Sequence, residues 1–258
     1  MPLEKQFISF YTIVRKGVIR IFRIWSQTLL PPLVTSVLYF AIFGTILGSR
    51  IGELDGVPYI LFVVPGLVML SVITSAFMEV ASTFFFAKFF SRNIDEVLVS
   101  PTPTLVIIAG FITSGIIRGM LVGVLVLIVS FFFALPSVAH PLIVLLFLFL
   151  SSLVFSLGGL INGIYAKSFD SITIVPTFVL TPLVYLGGVF YSIHSLPPLW
   201  QTLSLANPVF YIINGFRYGF LGTSDVSIFI CTAVLLLLTG ILLGVNWYFL
   251  KKGLGLKQ

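Results

Sequence analysis

Residues 91–103, SRNIDEVLVSPTP, decide how this chain folds, because they interrupt a sequence that is otherwise almost continuously apolar. Two long apolar segments, 58–87 and 104–134, flank them. Asn93 is a favourable helix N-cap, and Glu96 three residues later completes a capping box. The prolines that follow stop a helix. The pattern therefore predicts a short polar helix between two long apolar ones.

Ile94, Val97 and Leu98 give this short helix an apolar face, since they fall at helical spacing. One interpretation is that another protein docks on this face and moves the segments at either end. The other is an ordinary polar loop with one chance helical turn, because capping-box patterns are common. The residues alone leave both interpretations open.

Composition sets the class of protein. The chain has 258 residues, of which 59% are hydrophobic and only 9% charged, whereas soluble domains carry about 25% charged residues. We therefore expect an all-α, polytopic membrane protein, and the lone Cys231 excludes a disulfide framework. Six apolar segments are long enough for a hydrocarbon core of ~30 Å. They are 29–47, 58–87, 104–134, 141–165, 172–190 and 226–249.

The distribution of the 14 basic residues predicts the orientation in the membrane. Most of them precede the first span, follow the last, or lie in the loops 88–103 and 166–170. Arg50 and Arg217 lie on the other side, and Arg118 falls within a span. The positive-inside rule therefore places both termini and residues 91–103 in the cytoplasm.

Residues 1–27 read as an amphipathic helix at the membrane interface rather than a signal peptide, because charges interrupt them too often. Aromatic and aliphatic residues recur on one face. Lys5, Lys16, Arg20 and Arg23 cluster on the opposite face, which we expect to meet anionic lipid headgroups.

Glu79 and Arg118 are ionisable residues within predicted spans, where charge is costly. Glu79 shares a helix face with Ser71 and Ser75. It lines a hydrated substrate path, pairs with a basic residue or hydroxyl, or lies near enough to the membrane surface to be hydrated. Arg118 lies beside a stripe of glycines, so we expect it to face protein. The two charges differ in estimated depth, and no direct pair is predicted.

Thr173, Thr177 and Thr181 follow one another at i+4 spacing along the fifth predicted span, which also contains two prolines. Prolines kink a helix and free backbone carbonyls. The threonine stripe is therefore a candidate lining of a transport pathway, although helix packing explains it equally well.

Residues 191–223 are too apolar for a loop and too broken for a span. They predict two short helices, 198–206 and 209–219, that re-enter the outer leaflet between spans five and six. This segment is an external cap or, more specifically, an outer gate with Trp200, Asn207 and Tyr211 as candidate residues.

Four stretches carry a resemblance that covers nearly the whole chain. They are IWSQTLLPPLVTSVLYFAIFG (24–44), VPGLVMLSVI (64–73), SRNIDEVLVSPTP, and VPTFVLTPLVYLGGVFYSIHSLPPLWQTLSLANPVFYIINGFRYGFLG (175–222). In these stretches the chain resembles ABC-2 type permeases, the membrane subunits of bacterial ATP-binding-cassette exporters. It is similar to the small permeases of drug, lipo-oligosaccharide and nodulation-factor exporters.

The resemblance implies one transmembrane domain over residues 1–258, two copies side by side in the inner membrane, and no enzymatic activity in this chain. A separate cytoplasmic ATPase would carry ATP and Mg²⁺ and bind the short helix. Neither a cofactor in this chain nor a nucleic-acid partner is implied, and membrane lipid would surround the dimer. The coupling residues would be Arg92, Asn93, Ile94, Asp95, Glu96, Val97 and Leu98.

In this scheme the apolar residues of the short helix enter a groove on the ATPase, and Arg92, Asp95 and Glu96 set the register at its rim. The sequence supports a separate ATPase, because it contains no G-x-x-x-x-G-K-[ST] motif for binding phosphates. The apolar composition favours an amphipathic, lipid-linked or drug-like substrate. An ATP-independent secondary transporter or a channel is the alternative.

Overall fold

The computed structural model describes residues 1–54, 56–90, 93–135 and 138–255, and of residues 93, 95 and 98 it describes the backbone alone. Within these ranges the chain is almost entirely helical, apart from one antiparallel pair of two-residue strands. The predicted all-α fold class is confirmed.

The helices follow one another with short π-helical and 3₁₀ segments between some of them. The first half contains α1 (Leu3–Arg23), α2 (Trp25–Thr28), α3 (Leu30–Tyr39), a π-helical segment (Phe40–Leu47), α4 (Gly48–Ile51), β1 (Glu53–Leu54), β2 (Val57–Pro58), α5 (Tyr59–Phe89), α6 (Asn93–Val99) and α7 (Thr104–Ser130). The second half contains α8 (Pro141–Tyr165), α9 (Phe169–Val175), a second π-helical segment (Pro176–Leu180), α10 (Thr181–Tyr185), a 3₁₀ turn (Ile193–Ser195), α11 (Pro198–Leu205), α12 (Pro208–Leu221) and α13 (Ile228–Lys252).

Five stretches of the described chain are long and apolar enough to cross a membrane, so this is a multi-pass membrane protein. Each lies within a few residues of a span predicted from the sequence. They are Trp25–Ile51, Tyr59–Phe89, Thr104–Ser130, Pro141–Tyr165 and Ile228–Lys252.

The fifth predicted span, 172–190, is shorter than expected. Its helical part is Phe169–Tyr185, which is about 25 Å long at 1.5 Å per residue. The helix ends early because two glycines follow, and Gly188 has a φ of 81°, a conformation that favours glycine. The predicted distortion of this segment is the π-helical turn, where the Thr181 hydroxyl donates to the Pro176 carbonyl at 3.0 Å.

Helix α5 is the centre of the fold. It is buried along most of its length and packs against α7 and α8. The predicted glycine stripe of α7 allows this close approach. A Cβ atom at Gly119 would lie 2.5 Å from Ser152 Oγ and 3.0 Å from Ala76 Cβ. By contrast, a Cβ atom at Gly240 of α13 would meet nothing within 4 Å in the described chain.

Helix α1 lies along α7. Its close contact is at Gly17, where a Cβ atom would lie 2.6 Å from Ser114 Cβ. Ile21 is buried against the bundle, whereas Phe7 and Phe22 are exposed on the outer face. The helix is therefore apolar on two faces, one against protein and one open to its surroundings.

The two short external helices are present, and α12 is longer than predicted. Most of α12 is buried between α8, α13 and α5. Its Gly219 lies against Val144, where an added Cβ atom would be 2.6 Å from Val144 Cγ2. Helix α12 is thus part of the packed core, and α11 forms the more exposed part of the segment.

Candidate functional site

Glu79 lies inside the bundle on α5, at the level where α1 and α7 cross it. Its side chain is completely buried. A buried carboxylate requires partners, because burial removes the water that would stabilise its charge. Both carboxylate oxygens have such partners within hydrogen-bond distance.

Arg118 of α7 is the principal partner. Its Nη1 donates to Glu79 Oε2 at 2.9 Å, and its Nη2 donates to the carbonyl oxygen of Thr28 at 2.9 Å. The Thr83 hydroxyl donates to the other carboxylate oxygen, Oε1, also at 2.9 Å. One carboxylate therefore joins α5 to α7, and through Arg118 to the end of α2.

Arg20 of α1 approaches the same carboxylate oxygen as Arg118 does. Its Nη2 lies 3.9 Å from Glu79 Oε2 and donates to Ser82 Oγ at 3.0 Å. Its guanidinium also lies over the Phe86 ring, 5.7 Å from the ring centroid. We call Arg20, Glu79 and Arg118 the ion cluster; it carries one formal positive charge.

The ion cluster corrects two expectations. Arg20 was expected to face lipid headgroups with the other basic residues of α1, but its guanidinium points at α5. A direct contact of Glu79 with Arg118 was not expected. Glu79 lies ~15 Å from the end of α5 and Arg118 ~21 Å from the start of α7, and the long arginine side chain covers the difference. Of the three interpretations of Glu79, pairing is the one found.

The ion cluster is a strong structural constraint. Removing one member of a buried ion pair typically destabilises a protein by about 3–5 kcal/mol, because the remaining charge is left uncompensated. Since its three members come from α1, α5 and α7, a displacement of α1 must carry the carboxylate with it or break these contacts.

Ser71 and Ser75 are buried on α5 but are not among the hydrogen-bond partners given above for the ion cluster. The Ser71 hydroxyl lies 3.2 Å from that of Ser36 on α3, and donates to its own helix at the Leu67 carbonyl. Ser71 therefore fixes the contact between α5 and the first span.

The threonine stripe lies apart from the ion cluster. Thr173 and Thr177 are exposed on the surface of the chain. The hydroxyls of Thr173 and Thr181 donate to carbonyl oxygens of their own helical segment. A pathway role for these residues stays a prediction.

Helix α6 forms where the short polar helix was predicted, but its apolar face points inward. Ile94 is only 2% exposed and belongs to a buried cluster with residues of α5, α7 and α8. Val97 packs against the same cluster. The burial of Ile94 differs from the expectation that it enters a partner's groove, because this side chain anchors α6 to its own bundle. Val97 is half-buried, and its contact with a partner stays a prediction. Glu96 and Val99 are exposed, and Val99 is 88% exposed.

Four of the predicted coupling residues receive no side-chain description. Arg92 lies outside the described residues, as do the side chains of Asn93, Asp95 and Leu98. At the end of α6, Ser100 Oγ donates to Thr102 Oγ1 at 2.8 Å, and Thr102 lies 3.4 Å from Ser9 of α1. Helices α1 and α6 are therefore neighbours.

A cavity of about 620 Å³ lies between α1 and α6, bounded by the last turns of α5 and the second turn of α7. Arg20 of the ion cluster forms part of its wall. Chemically, the cavity combines apolar walls with basic side chains from α1. Its volume is larger than that of a second cavity of the described chain, which adjoins Arg217.

The candidate gate residues form the junction of the external helices. Asn207 caps α12, accepting from the Val209 amide at 3.0 Å, and its Nδ2 donates to the Leu183 carbonyl. The Tyr211 hydroxyl donates to the Leu205 carbonyl oxygen at 2.7 Å. The Trp200 side chain is exposed on α11. Burial raises the pKa of the nearby Tyr191. A gating role stays a prediction.

Arg217 was placed outside the membrane by sequence reasoning, but it is buried. It donates to the Gly188 carbonyl at 2.7 Å, and its guanidinium lies 3.8 Å from the Phe62 ring centroid. It lines the second cavity, of about 280 Å³, together with Asp225. The signal was available in the sequence: a polar Asn-x-x-Arg pair within an apolar helix places both side chains on one face.

Comparison with known proteins assigns this architecture. The sequence pattern of the ABC-2 type transporter family matches residues 8–221, which include α1, the ion cluster, α6 and the external helices. The chain belongs to the ABC-2 type transporter family. It is accordingly a membrane transport permease and not an enzyme.

Relatives cover between two thirds and nearly the whole of the permease. The inner membrane transport permease YadH of Escherichia coli K12 is 51% identical over 251 residues, covering 97% of this chain and 98% of its own length. Nodulation protein J of Rhizobium meliloti is 26% identical over 211 residues, covering 78% of this chain and 77% of its own. The same protein of Sinorhizobium fredii is 26% identical over 171 residues, covering 66% and 65% respectively.

Proposed function

We propose that this permease is the membrane-spanning subunit of a bacterial ATP-binding-cassette exporter in the inner membrane. A separate cytoplasmic ATPase, carrying ATP and Mg²⁺, would drive it. The family assignment is the observation that carries this proposal. The sequence adds that the chain contains no P-loop motif, and a close relative is named an inner membrane permease.

The ATPase docks on the outer face of α6 in this proposal. Because Ile94 and Val97 hold α6 against the bundle, the surface available to a partner is the opposite face, with Val99 and with Glu96, which is exposed and also borders the cavity between α1 and α6. A push on that face is transmitted to α5, which ends next to α6, and to α7, which begins next to it. The inward apolar contact makes the transmission stiff, since packed interiors deform little.

The ion cluster provides the second route of transmission. Arg20 belongs to α1, which neighbours α6, and Glu79 belongs to the central helix. A tilt of α1 therefore changes the distance between the Arg20 guanidinium and the carboxylate. We propose that this contact helps α1, α5 and α7 to move as one unit between the two states of the transporter.

The permease acts as a dimer in this proposal, and the pathway lies between the copies. The first span and α13 are mostly exposed in the single chain, with only 11% of each buried, so they are available to lipid or to a second copy. An apolar chain with few intramembrane charges suits an amphipathic, lipid-linked or drug-like substrate better than an ion. We propose export as the direction of transport.

A pull-down from native membranes tests the proposal. The tagged permease, extracted in mild detergent, is expected to bring with it a P-loop ATPase in stoichiometric amount. Val99→Asp, on the outer face of α6, is expected to remove the ATPase. Leu135→Asp is the matched control, because Leu135 is 82% exposed and follows the end of α7 that lies away from α6.

Two results would contradict the proposal. If wild-type chain purifies alone in more than one mild detergent, an ATP-independent transporter or a channel becomes the better description. If both substitutions remove the ATPase equally, α6 is not the docking element.

A further inference from the structure

The cavity between α1 and α6 lies beside the ends of two membrane-spanning helices. Its walls include Thr83 and Ala87, near the end of α5, and Phe111, near the start of α7. Both spans have their ends at this level, next to α6. A cavity bounded by the ends of two spans opens where lipid headgroups lie, rather than in the hydrocarbon core or far out in water.

The lining of this cavity is divided between apolar and basic side chains. Ile94 and Phe111 form part of its buried apolar wall, and the exposed side chains of Ile19 and Phe86 border it. Exposed apolar groups beside a cavity at a membrane surface suit an acyl chain that enters from the adjoining leaflet.

Three basic residues of α1 line the same cavity: Lys16, Arg20 and Arg23. Among the described lining residues one is acidic, Glu96 of α6, so the described side chains of the lining are more basic than acidic. Arg20 belongs both to this lining and to the ion cluster. Its Nη2 lies 3.9 Å from Glu79 Oε2, a distance longer than that of a hydrogen bond. The arrangement favours an anion with an apolar body.

We propose that this cavity binds one anionic phospholipid of the surrounding leaflet, with its phosphate near Lys16, Arg20 and Arg23 and its acyl chains along Ile19 and Phe86. The volume of about 620 Å³ is within the usual range for ligand sites, ~300–1,000 Å³. An acidic segment of a partner protein would satisfy the basic residues but would leave the apolar walls without a matching group.

Lipid binding at this position connects the leaflet to the ion cluster. Arg20 lines the cavity and also contacts Glu79, so a phosphate bound beside it would add a negative charge next to the ion cluster. The phospholipid is therefore expected to hold α1 in place against α5 and α6, and to increase the thermal stability of the permease. This inference is independent of the ATPase and concerns the permease alone.

Native mass spectrometry of the full-length permease tests the site. The protein is purified from mixed micelles containing phosphatidylglycerol and phosphatidylcholine in equal amounts. Wild type is expected to retain phosphatidylglycerol selectively. Arg23→Gln is expected to weaken that retention about fivefold, as removal of one basic contact at a membrane surface does.

Arg15→Gln is the matched control, because Arg15 is exposed on the same helix and is not part of the cavity lining. It removes the same charge and is expected to leave retention unchanged. Ala87→Leu provides the complementary variant: it fills the cavity without changing charge and is expected to abolish selective retention. The thermal stabilisation by phosphatidylglycerol should be lost in the same two variants, Arg23→Gln and Ala87→Leu.

Several outcomes would overturn the proposal. Equal loss in Arg15→Gln and Arg23→Gln would show a general attraction of lipid to a basic helix. Unchanged retention in Ala87→Leu would place the lipid elsewhere, and full displacement by glycerol 3-phosphate would show that the acyl chains contribute nothing. Displacement of the lipid by a stoichiometric protein partner would assign the cavity to that protein.

Discussion

At the scale of single residues, Glu79 is the position on which the packing of this permease depends most. Two arginines lie near one oxygen of its carboxylate, and a hydroxyl donates to the other oxygen. Neutralising the carboxylate leaves two guanidinium groups close together without the negative charge that both contact. Neutralising both Glu79 and Arg118 leaves two amides that can bond to each other.

We therefore expect Glu79→Gln to destabilise the permease by about 3–5 kcal/mol. The double variant Glu79→Gln with Arg118→Gln is expected to cost less than the sum of the single variants, by more than ~1 kcal/mol. Unfolding in mixed micelles measures both. Ser75→Ala, buried one turn away on the same helix, controls for a general loss of packing. Additive single and double effects would show that the two side chains do not act as a pair.

At the scale of the elements, the close contact of α5 with α7 depends on glycine. The glycines of α7 allow the helices to approach until other side chains would collide. The glycines of α13 have no such neighbours in the described chain. Two stripes that look alike in the sequence therefore have different packing roles.

Gly119→Leu is expected to abolish the folded permease, because the added side chain would overlap Ser152 and Ala76. Gly240→Leu makes the same substitution in another span, where the space is open, and is expected to be tolerated. Size-exclusion profiles and thermal unfolding in detergent measure both. If the two variants behave alike, the contact is not as close as the structure indicates.

The elements also show what sequence can predict. The apolar spans and the short helix α6 follow directly from hydropathy and capping patterns, which are local properties of the chain. The direction of α6's apolar face could not be predicted, because the same Ile94 side chain can pack on its own bundle or on a partner. The contact of Glu79 with Arg118 was missed because helix depth was estimated from segment bounds without allowing for the reach of an arginine side chain.

At the scale of the whole molecule, the segment Phe169–Tyr185 decides the topology. It is short for a span, yet an even number of crossings is needed if both termini lie on the same side. A short crossing is accommodated by local thinning of the bilayer or by contact with other protein.

We expect Phe169–Tyr185 to cross the membrane. In a background with Cys231→Ser, Ser168→Cys and Ser195→Cys place single thiols at exposed positions on either side of the segment. An impermeant thiol reagent added to intact cells is expected to label Ser195→Cys and not Ser168→Cys. Labelling of both would mean that the segment enters and leaves on one side.

The central claim is that α6 faces its own bundle with Ile94 and faces a separate ATPase with Glu96 and Val99. Photo-crosslinking in native membranes tests this most directly, with a photoreactive residue placed at 94, 96 or 99 in turn. The account predicts a crosslink to a P-loop ATPase from positions 96 and 99 and crosslinks within the permease from position 94. A crosslink to the ATPase from position 94 at equal yield, or none from positions 96 and 99, would contradict it.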